Sequence, residues 1–345
     1  MRSTTNRRTT VRPGALISLV ASIGLLTAAC SSDSLMGVSP ASTVSVAETP
    51  QSAVSVSETS DLVYLTMDGV ELALDVIAPE RGGPWPVVVA FHGRSSAGKD
   101  AEGNTLIPEA AAASGMMVVT PTWYSGDPFP LMIDDLTMMR DAGNCAVAFA
   151  QQIAPRYGGD ASATVVYGFS AGTGPALTAA LAPRHVPVPG CATDALPAPI
   201  TGVVLGDGEY FWQSENFDGA FAADLEAMQS EVALLTDSTR WEPGLEAEFH
   251  LWAAAEGTAP RVLDSAAGAD DWLTPRDPDG SIRSDLDRLG ELDDGIIDYL
   301  ASARLLELRL AEAGLDVDLD VYPGGHTTLD KVPQLVDALT AATTD

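Results

Sequence analysis

The feature that most constrains this chain is Thr164–Gly172, where an apolar, strand-like run stops abruptly at a serine between two glycines. A helical run of small residues, Pro175–Ala182, follows. A serine on such a sharp strand-to-helix turn is typical of a nucleophile, because the turn exposes its hydroxyl and the helix N-terminus favours developing negative charge. Side chains in place of Gly168 and Gly172 are expected to collide. We therefore predict that Ser170 is a catalytic nucleophile; a structural tight turn is the alternative.

The first residues of the chain predict export. Four arginines precede the fifteen-residue apolar stretch Ala15–Ala29, and small residues lead into Cys30. This pattern is typical of a secretory signal peptide over residues 1–29, too short to span a bilayer comfortably. Leu26–Cys30 resembles a bacterial lipobox, so we predict a lipid on Cys30 and anchoring at the outer face of the cytoplasmic membrane. Plain cleavage with secretion is the alternative, and the Sec and twin-arginine routes both stay open.

The segment after Cys30 has the composition of a linker. Residues 31–60 contain ten serines, no aromatic residue and no Lys or Arg. Such a segment cannot bury enough apolar surface to offset the entropy of ordering it. Residues 30–60 are therefore predicted to be a disordered tether, and residues 61–345 the folded domain.

The charge of the chain excludes several classes of partner. Four of the 18 basic residues precede Cys30, which leaves 14 basic against 48 acidic residues and a formal net charge of −34. Such a field repels nucleic acid and anionic membrane surfaces and disfavours polyanionic substrates. We predict no nucleic-acid partner, and membrane contact only through the lipid on Cys30.

Two further cysteines, Cys145 and Cys191, remain after the signal peptide. An exported protein with two such cysteines is expected to pair them; two buried thiols are the alternative. Neither has a His or Cys neighbour at ligand spacing, so no metal site is predicted.

Strand-like and helical runs alternate along the chain and predict the fold class. Asp61–Met67 and Val70–Ile77, joined by Asp68-Gly69, predict an antiparallel hairpin at one sheet edge. Apolar positions at helical spacing predict a helix over Leu136–Ile153. Further strands are predicted at Val87–Phe91, Met116–Thr120, Thr201–Gly206, Arg261–Ser265 and Asp316–Tyr322, the last with Val317, Leu319 and Val321 inward. The prediction is an α/β fold: a mostly parallel sheet with helices on both faces and an N-terminal antiparallel hairpin.

Residues 209–258 break this alternation. They are rich in aromatic side chains and hold half of the six tryptophans. This composition predicts a largely helical cap, an excursion over the carboxyl edge of the sheet.

A serine hydroxyl becomes a good nucleophile only when an imidazole accepts its proton and a carboxylate orients that imidazole. His326 follows the last predicted strand on a glycine-rich loop, which fits the chain order serine, acid, histidine. The oxyanion needs two backbone donors, and we predict the N–H groups of Ala171 and Arg94. His92 is expected to brace the loop that carries Arg94.

From about Leu62 to the C-terminus, the sequence resembles the α/β-hydrolases of the esterase/lipase branch, which includes hormone-sensitive-lipase-like, acetylxylan and feruloyl esterases. The motifs that carry the resemblance are Pro86–Gly93, Phe129–Asp135, Tyr157–Asp160, Gly168–Gly172, Gly268–Pro275 and Tyr322–His326. His92-Gly93-Arg94 departs from the His-Gly-Gly-Gly run of the lipase-like members. This departure favours the dienelactone-hydrolase-like or polysaccharide-esterase relatives.

The resemblance implies a serine hydrolase that cleaves a small or polysaccharide-borne carboxylic ester through an acyl-enzyme, without a cofactor. In such hydrolases the triad acid commonly stands three residues after a glycine and four before a proline, which selects Asp271. Asp270 is its rival and Asp264 a further alternative, whereas Asp207 is expected to be a pocket or structural residue. Two other functions stay open: a peptidase or amidase with the same triad, and a non-catalytic cell-surface binding lipoprotein.

Overall fold

The fold is that of a computed structural model, which describes residues 54–67, 69–93, 98–100, 102–123, 133–182, 187–208, 238–255, 258–260, 296–323 and 331–343. The predicted signal peptide, Cys30 and most of the tether lie outside these ranges. Within the described residues, no helix is long and apolar enough to cross a membrane.

Eight of the described strands form one sheet in the order β1-β2-β4-β3-β5-β6-β7-β10. A short antiparallel pair, β8 and β9, stands apart from it. The strand bounds are Val56–Met67 (β1), Val70–Pro79 (β2), Trp85–Phe91 (β3), Met117–Pro121 (β4), Gly159–Phe169 (β5), Gly202–Gly206 (β6), Glu248–Ala254 (β7), Thr258–Pro260 (β8), Ile296–Asp298 (β9) and Val317–Tyr322 (β10).

Strand direction follows the sequence prediction. From β4 through β3, β5, β6 and β7 to β10, every neighbouring pair is parallel. β1 and β2 form an antiparallel hairpin that pairs with β4 at one edge. Because the strands are parallel, the chain leaves β3, β5, β6, β7 and β10 at the same edge of the sheet, called here the carboxyl edge. The predicted α/β class and its N-terminal hairpin are confirmed.

The strands are apolar on both sides because helices cover both faces of the sheet. The described helices are Glu102–Ala113 (α1), Ile133–Ile153 (α2), Thr173–Leu181 (α3), Tyr299–Glu312 (α4) and Val332–Ala341 (α5). In β3, Val87 and Val89 pack into the core that contains side chains of α2, α3 and α4. Val88 and Ala90 pack into the opposite core with side chains of α1 and α5. Alternate residues thus bury on opposite faces, as a strand period of two requires.

Two predicted boundaries and one predicted inward-facing residue differ in the structure. β1 starts at Val56, inside the predicted tether, because residues 56–59 pair with the end of β2. β7 occupies 248–254 within the predicted excursion, because its residues alternate between the two cores and complete the parallel sheet. In β10, Val321 is 44% exposed, since β10 is an edge strand, and Tyr322 is buried instead. Most of the predicted excursion (209–237) and the predicted strand Arg261–Ser265 lie outside the described residues.

The predicted disulfide is present between Cys145 and Cys191. Cys145 lies in α2 and is buried in the core, and Cys191 itself forms an antiparallel backbone bridge with Leu65 of β1. The bond therefore ties α2 to the segment that crosses the hairpin edge of the sheet.

We expect the Cys145→Ala/Cys191→Ala double variant to lose about 4 kcal/mol of unfolding free energy, because the bond closes a loop of 46 residues in the unfolded chain. Equilibrium denaturation with and without a thiol reductant measures the loss. Reductant should destabilise the wild type and leave the double variant unchanged. Equal unfolding of both proteins under oxidising conditions would contradict a stabilising bond.

Candidate active site

The turn that carries Ser170 is strained. Phe169 ends β5 in an extended conformation, with φ −126° and ψ 137°, and Ser170 then adopts φ 55° in the left-handed region. For a non-glycine residue this conformation costs on the order of 1–3 kcal/mol and persists only where the surroundings impose it. Such outliers cluster at functional sites, which makes Ser170 the strongest candidate on physical grounds.

The two flanking glycines are required by contact, as the sequence predicts. A Cβ on Gly168 would lie 2.4 Å from the carbonyl oxygen of Gly172. A Cβ on Gly172 would lie 2.2 Å from the carbonyl oxygen of Phe91, at the end of β3. Both atoms are backbone and cannot swing away, so no residue with a side chain fits at either position.

Helix α3 begins immediately after the turn and is buried along its whole length. The Thr173 hydroxyl donates to the carbonyl oxygen of Ser170 at 2.6 Å, which fixes the turn to the first helical residue. Ala171, the predicted oxyanion donor, lies between them in a half-buried position. The helix N-terminus thus lies directly beside the serine, where its dipole favours negative charge.

The loop after β3 lies against the serine. A Cβ on Gly93 would be 3.4 Å from the Cβ of Ser170, so the two residues are neighbours. The Trp123 indole N–H donates to the carbonyl oxygen of His92 at 2.9 Å, and Nδ1 of His92 donates to that of Gly93 at 2.8 Å. His92 therefore braces this loop from within, as predicted.

His92 is a buried, neutral imidazole in this position. Burial lowers its pKa, and the hydrogen bond to the Gly93 carbonyl opposes this shift without cancelling it. A neutral ring with its proton on Nδ1 matches the bond to a carbonyl acceptor. The residue acts on the loop backbone.

A buried ion pair that the sequence did not reveal holds the far end of the same loop. The Lys99 ammonium donates to Asp75 at 2.6 Å and to Asp100 at 2.9 Å. Burial disfavours the charged lysine, yet the hydrogen bonds to the two carboxylates outweigh it and raise its pKa. Asp75 occupies a position in β2 that the alternating pattern assigned to the polar side, so no sequence signal identified it as buried.

The other three predicted site residues, Arg94, Asp271 and His326, lie outside the described residues. For His326, the register of the sheet gives the distance between the strand that leads to Ser170 and the strand that leads to the histidine. Phe169 of β5 and Asp320 of β10 lie in one row across the sheet, three strand spacings apart, which is about 14 Å. His326 is six residues beyond Asp320, so the chain can extend about 20 Å from that row. Its predicted contact with Ser170 is within reach.

One further titratable residue, Asp207, stands at the carboxyl edge. It directly follows β6, is fully buried, and adopts φ 46°. The Tyr322 hydroxyl and the Ala254 N–H both donate to its carboxylate. Within the described ranges, no three His, Cys, Asp or Glu side chains converge to hold a metal ion.

We expect Gly172→Ala to lower the unfolding free energy by about 3 kcal/mol, because the added methyl group meets the Phe91 carbonyl in a close-packed contact. Gly314→Ala is the matched control: its site is open but has φ +81°, so it should cost about 1 kcal/mol through backbone strain alone. Chemical denaturation of both variants measures the difference. Equal losses would show that the close approach at Gly172 is not rigid.

No protein family model matches the sequence, and neither does any curated protein. Solved structures do match. The esterase Est22 with p-nitrophenol is 12% identical at a TM-score of 0.52, over 86% of this chain and 82% of that one. Est2, a thermophilic esterase from the Planctomycetes species Thermogutta terrifontis with bound propionate, is 16% identical at a TM-score of 0.51, over 84% and 92%. With the strand order and the turn at Ser170, these likenesses identify the architecture of the chain as the α/β-hydrolase fold.

Proposed function

We propose that the protein is a serine hydrolase that cleaves carboxylic esters through Ser170, His326 and Asp271. The observation that carries the proposal is the strained, left-handed turn at Ser170, enclosed by two obligate glycines at the carboxyl edge of the sheet. A structural turn would have no need of a non-glycine residue in this conformation. The solved structures of similar fold are named esterases, which supports the reaction class.

In the proposed reaction, the Ser170 hydroxyl attacks the acyl carbon while the His326 imidazole takes its proton and Asp271 orients the ring. The oxyanion accepts hydrogen bonds from the N–H groups of Ala171 and Arg94. The imidazolium then gives its proton to the leaving alkoxide, and an alcohol departs from the acyl-enzyme. Water, deprotonated by His326, attacks the acyl carbon and releases the acid. No cofactor takes part in this sequence.

The loop contacts around Ser170 support the oxyanion role. Gly93 lies beside the serine, and the next residue is Arg94. Both ends of this short loop are held by buried polar contacts, His92 on one side and Lys99 on the other. Hydrogen-bond donors stabilise a transition state best when they are fixed before the reaction begins.

The proposed substrate is a small or polysaccharide-borne ester without strong negative charge. The formal net charge of the whole chain is −30, which disfavours anionic substrates near the site. The structures of Est22 and Est2 contain p-nitrophenol and propionate, a phenol and the anion of a short carboxylic acid. Short acyl esters of phenols are therefore the first substrates to test.

The proposed location is the outer face of the bacterial cytoplasmic membrane, with the domain held by a lipid on Cys30. The disulfide between Cys145 and Cys191 supports export, because such bonds persist in oxidising compartments. Only about 25 residues separate Cys30 from the start of β1, a span of about 30 Å for a flexible coil.

We expect Ser170→Ala to lower kcat/KM for p-nitrophenyl acetate by about 10⁴-fold or more, because no other group replaces the nucleophile. A fluorophosphonate probe should label the wild type and not the variant. Ser162→Ala is the matched control, since Ser162 is an exposed serine of the same strand. Full activity in Ser170→Ala would exclude Ser170 as the nucleophile. Faster turnover of peptide anilides than of esters by the wild type would favour an amidase.

We expect Asp271→Asn to lower kcat about 10⁴-fold, because an amide cannot stabilise the imidazolium and favours the wrong histidine tautomer. Asp270→Asn should stay within tenfold of the wild type. The measurement is steady-state hydrolysis of p-nitrophenyl acetate by both variants at equal fluorophosphonate titre. A large decrease in kcat in Asp270→Asn with little change in Asp271→Asn would assign the triad acid to Asp270. An unchanged kcat in both variants would exclude both residues.

A further inference from the structure

Asp207 is a fully buried carboxylate that the proposed reaction does not use. It directly follows β6, the strand next to the one that leads to Ser170. Burying a carboxylate costs free energy unless hydrogen bonds compensate for the lost hydration. The donors to Asp207 therefore identify the parts of the fold that it connects.

Those partners are the ends of two neighbouring strands. The N–H of Ala254, the last residue of β7, donates to Oδ1 of Asp207 at 2.7 Å. The hydroxyl of Tyr322, the last residue of β10, donates to Oδ2. The N–H of Asp207 donates to the carbonyl oxygen of Trp252 at 2.9 Å. One side chain thus joins the carboxyl ends of β6, β7 and β10.

Tyr322 is held on its ring faces as well as at its hydroxyl. Its ring packs against that of Trp252, with 6.3 Å between centroids. The Lys331 ammonium lies 5.1 Å from the centroid of the same ring, a distance typical of a cation–π contact. Tyr322 ends β10, and Lys331 directly precedes α5. The two ends of the intervening segment therefore meet at one tyrosine ring.

That segment carries His326, four residues after Tyr322 and five before Lys331. The segment after Ala254 leads through β8 to Asp271, 17 residues further along the chain. The carboxylate of Asp207 therefore fixes the residues from which two segments leave the sheet. One segment carries His326, the proposed base, and the other carries Asp271, the proposed acid.

We propose that Asp207 is a positioning residue of the hydrolase: through the Tyr322 hydroxyl and the Ala254 N–H, it sets where the segments bearing His326 and Asp271 leave the sheet. This inference rests on the proposed function. In the proposed reaction Asp271 is the triad acid, and Asp207 acts through the two strand ends whose hydrogen bonds its carboxylate oxygens accept.

The test is a double-mutant cycle on the full chain with Tyr322→Phe, Asp207→Asn and the double variant. Tyr322→Phe keeps the ring between Trp252 and Lys331 and removes only the hydroxyl. We expect it to lower kcat for p-nitrophenyl acetate 10- to 100-fold, with KM within threefold, because the base is misplaced while the acyl pocket is intact. The double variant should show a decrease in kcat no greater than that of the more affected single variant, because both substitutions remove the same hydrogen bond between Tyr322 and Asp207.

Rates are expressed per site labelled by a fluorophosphonate probe, so that a fraction of unfolded protein does not lower the apparent kcat. Tyr157→Phe is the matched control, because Tyr157 precedes β5 at the opposite edge of the sheet. It should leave kcat unchanged.

Three results would overturn the inference. Unchanged kcat in Tyr322→Phe, in a wild type that hydrolyses esters, would exclude positioning and leave the proposed function intact. A loss of about 10⁴-fold in Asp207→Asn, together with full activity in Tyr322→Phe, would make Asp207 the triad acid instead. A wild type that neither hydrolyses esters nor takes up the probe at Ser170 would overturn the proposed function and this inference together.

Discussion

The candidate site depends on one close approach between two backbones. The turn after β5 passes so near the end of β3 that only a glycine fits at residue 172, against the Phe91 carbonyl. Near this contact Gly93 lies beside Ser170, so the loop after β3 starts next to the serine. Neither backbone can withdraw without giving up ladder hydrogen bonds, because Val87–Phe91 of β3 pairs without interruption with Thr164–Gly168 of β5. The spacing of the site is therefore fixed by the sheet and does not rely on flexible side chains.

Two buried aspartates support the loops around this contact in the same way. Asp75 holds Lys99, which ends the loop that begins at Gly93. Asp207 holds Tyr322, from which the His326 segment departs. In both cases the carboxylate belongs to a sheet strand or its end, and its partner stands where an irregular segment meets regular structure. Charge-assisted hydrogen bonds are short and directional, so they restrict a loop end more tightly than apolar packing does.

The sequence predicts those features of the fold in which a short run of residues allows only one backbone conformation. A serine between glycines at a strand end, or Asp-Gly between two alternating runs, admits few other conformations, and the structure has a tight turn at Ser170 and a hairpin of β1 and β2. The sequence does not predict β7, because Phe249 and Trp252 fit an aromatic excursion as well as a strand, and only the fold shows both buried in the sheet cores. Asp75 and Asp207 were not assigned their partners, because Lys99 and Tyr322 are 24 and 115 residues away in sequence. Long-range polar pairs leave no periodic signal, and only the folded chain shows them.

The residues with positive φ differ in how well their side chains suit that conformation. Among the described residues, three that are not glycine have positive φ: Asp61, Ser170 and Asp207. Aspartate is enriched in the left-handed region, and both aspartates here gain hydrogen bonds, Asp61 by donating its N–H to Asp75 and Asp207 through its carboxylate. Serine has no such preference. Its conformation at residue 170 follows from the glycines on either side and from the helix that must start at Thr173. An aspartate or glycine would cost less in this conformation, and that excess strain is the physical basis on which we propose a role for the Ser170 hydroxyl.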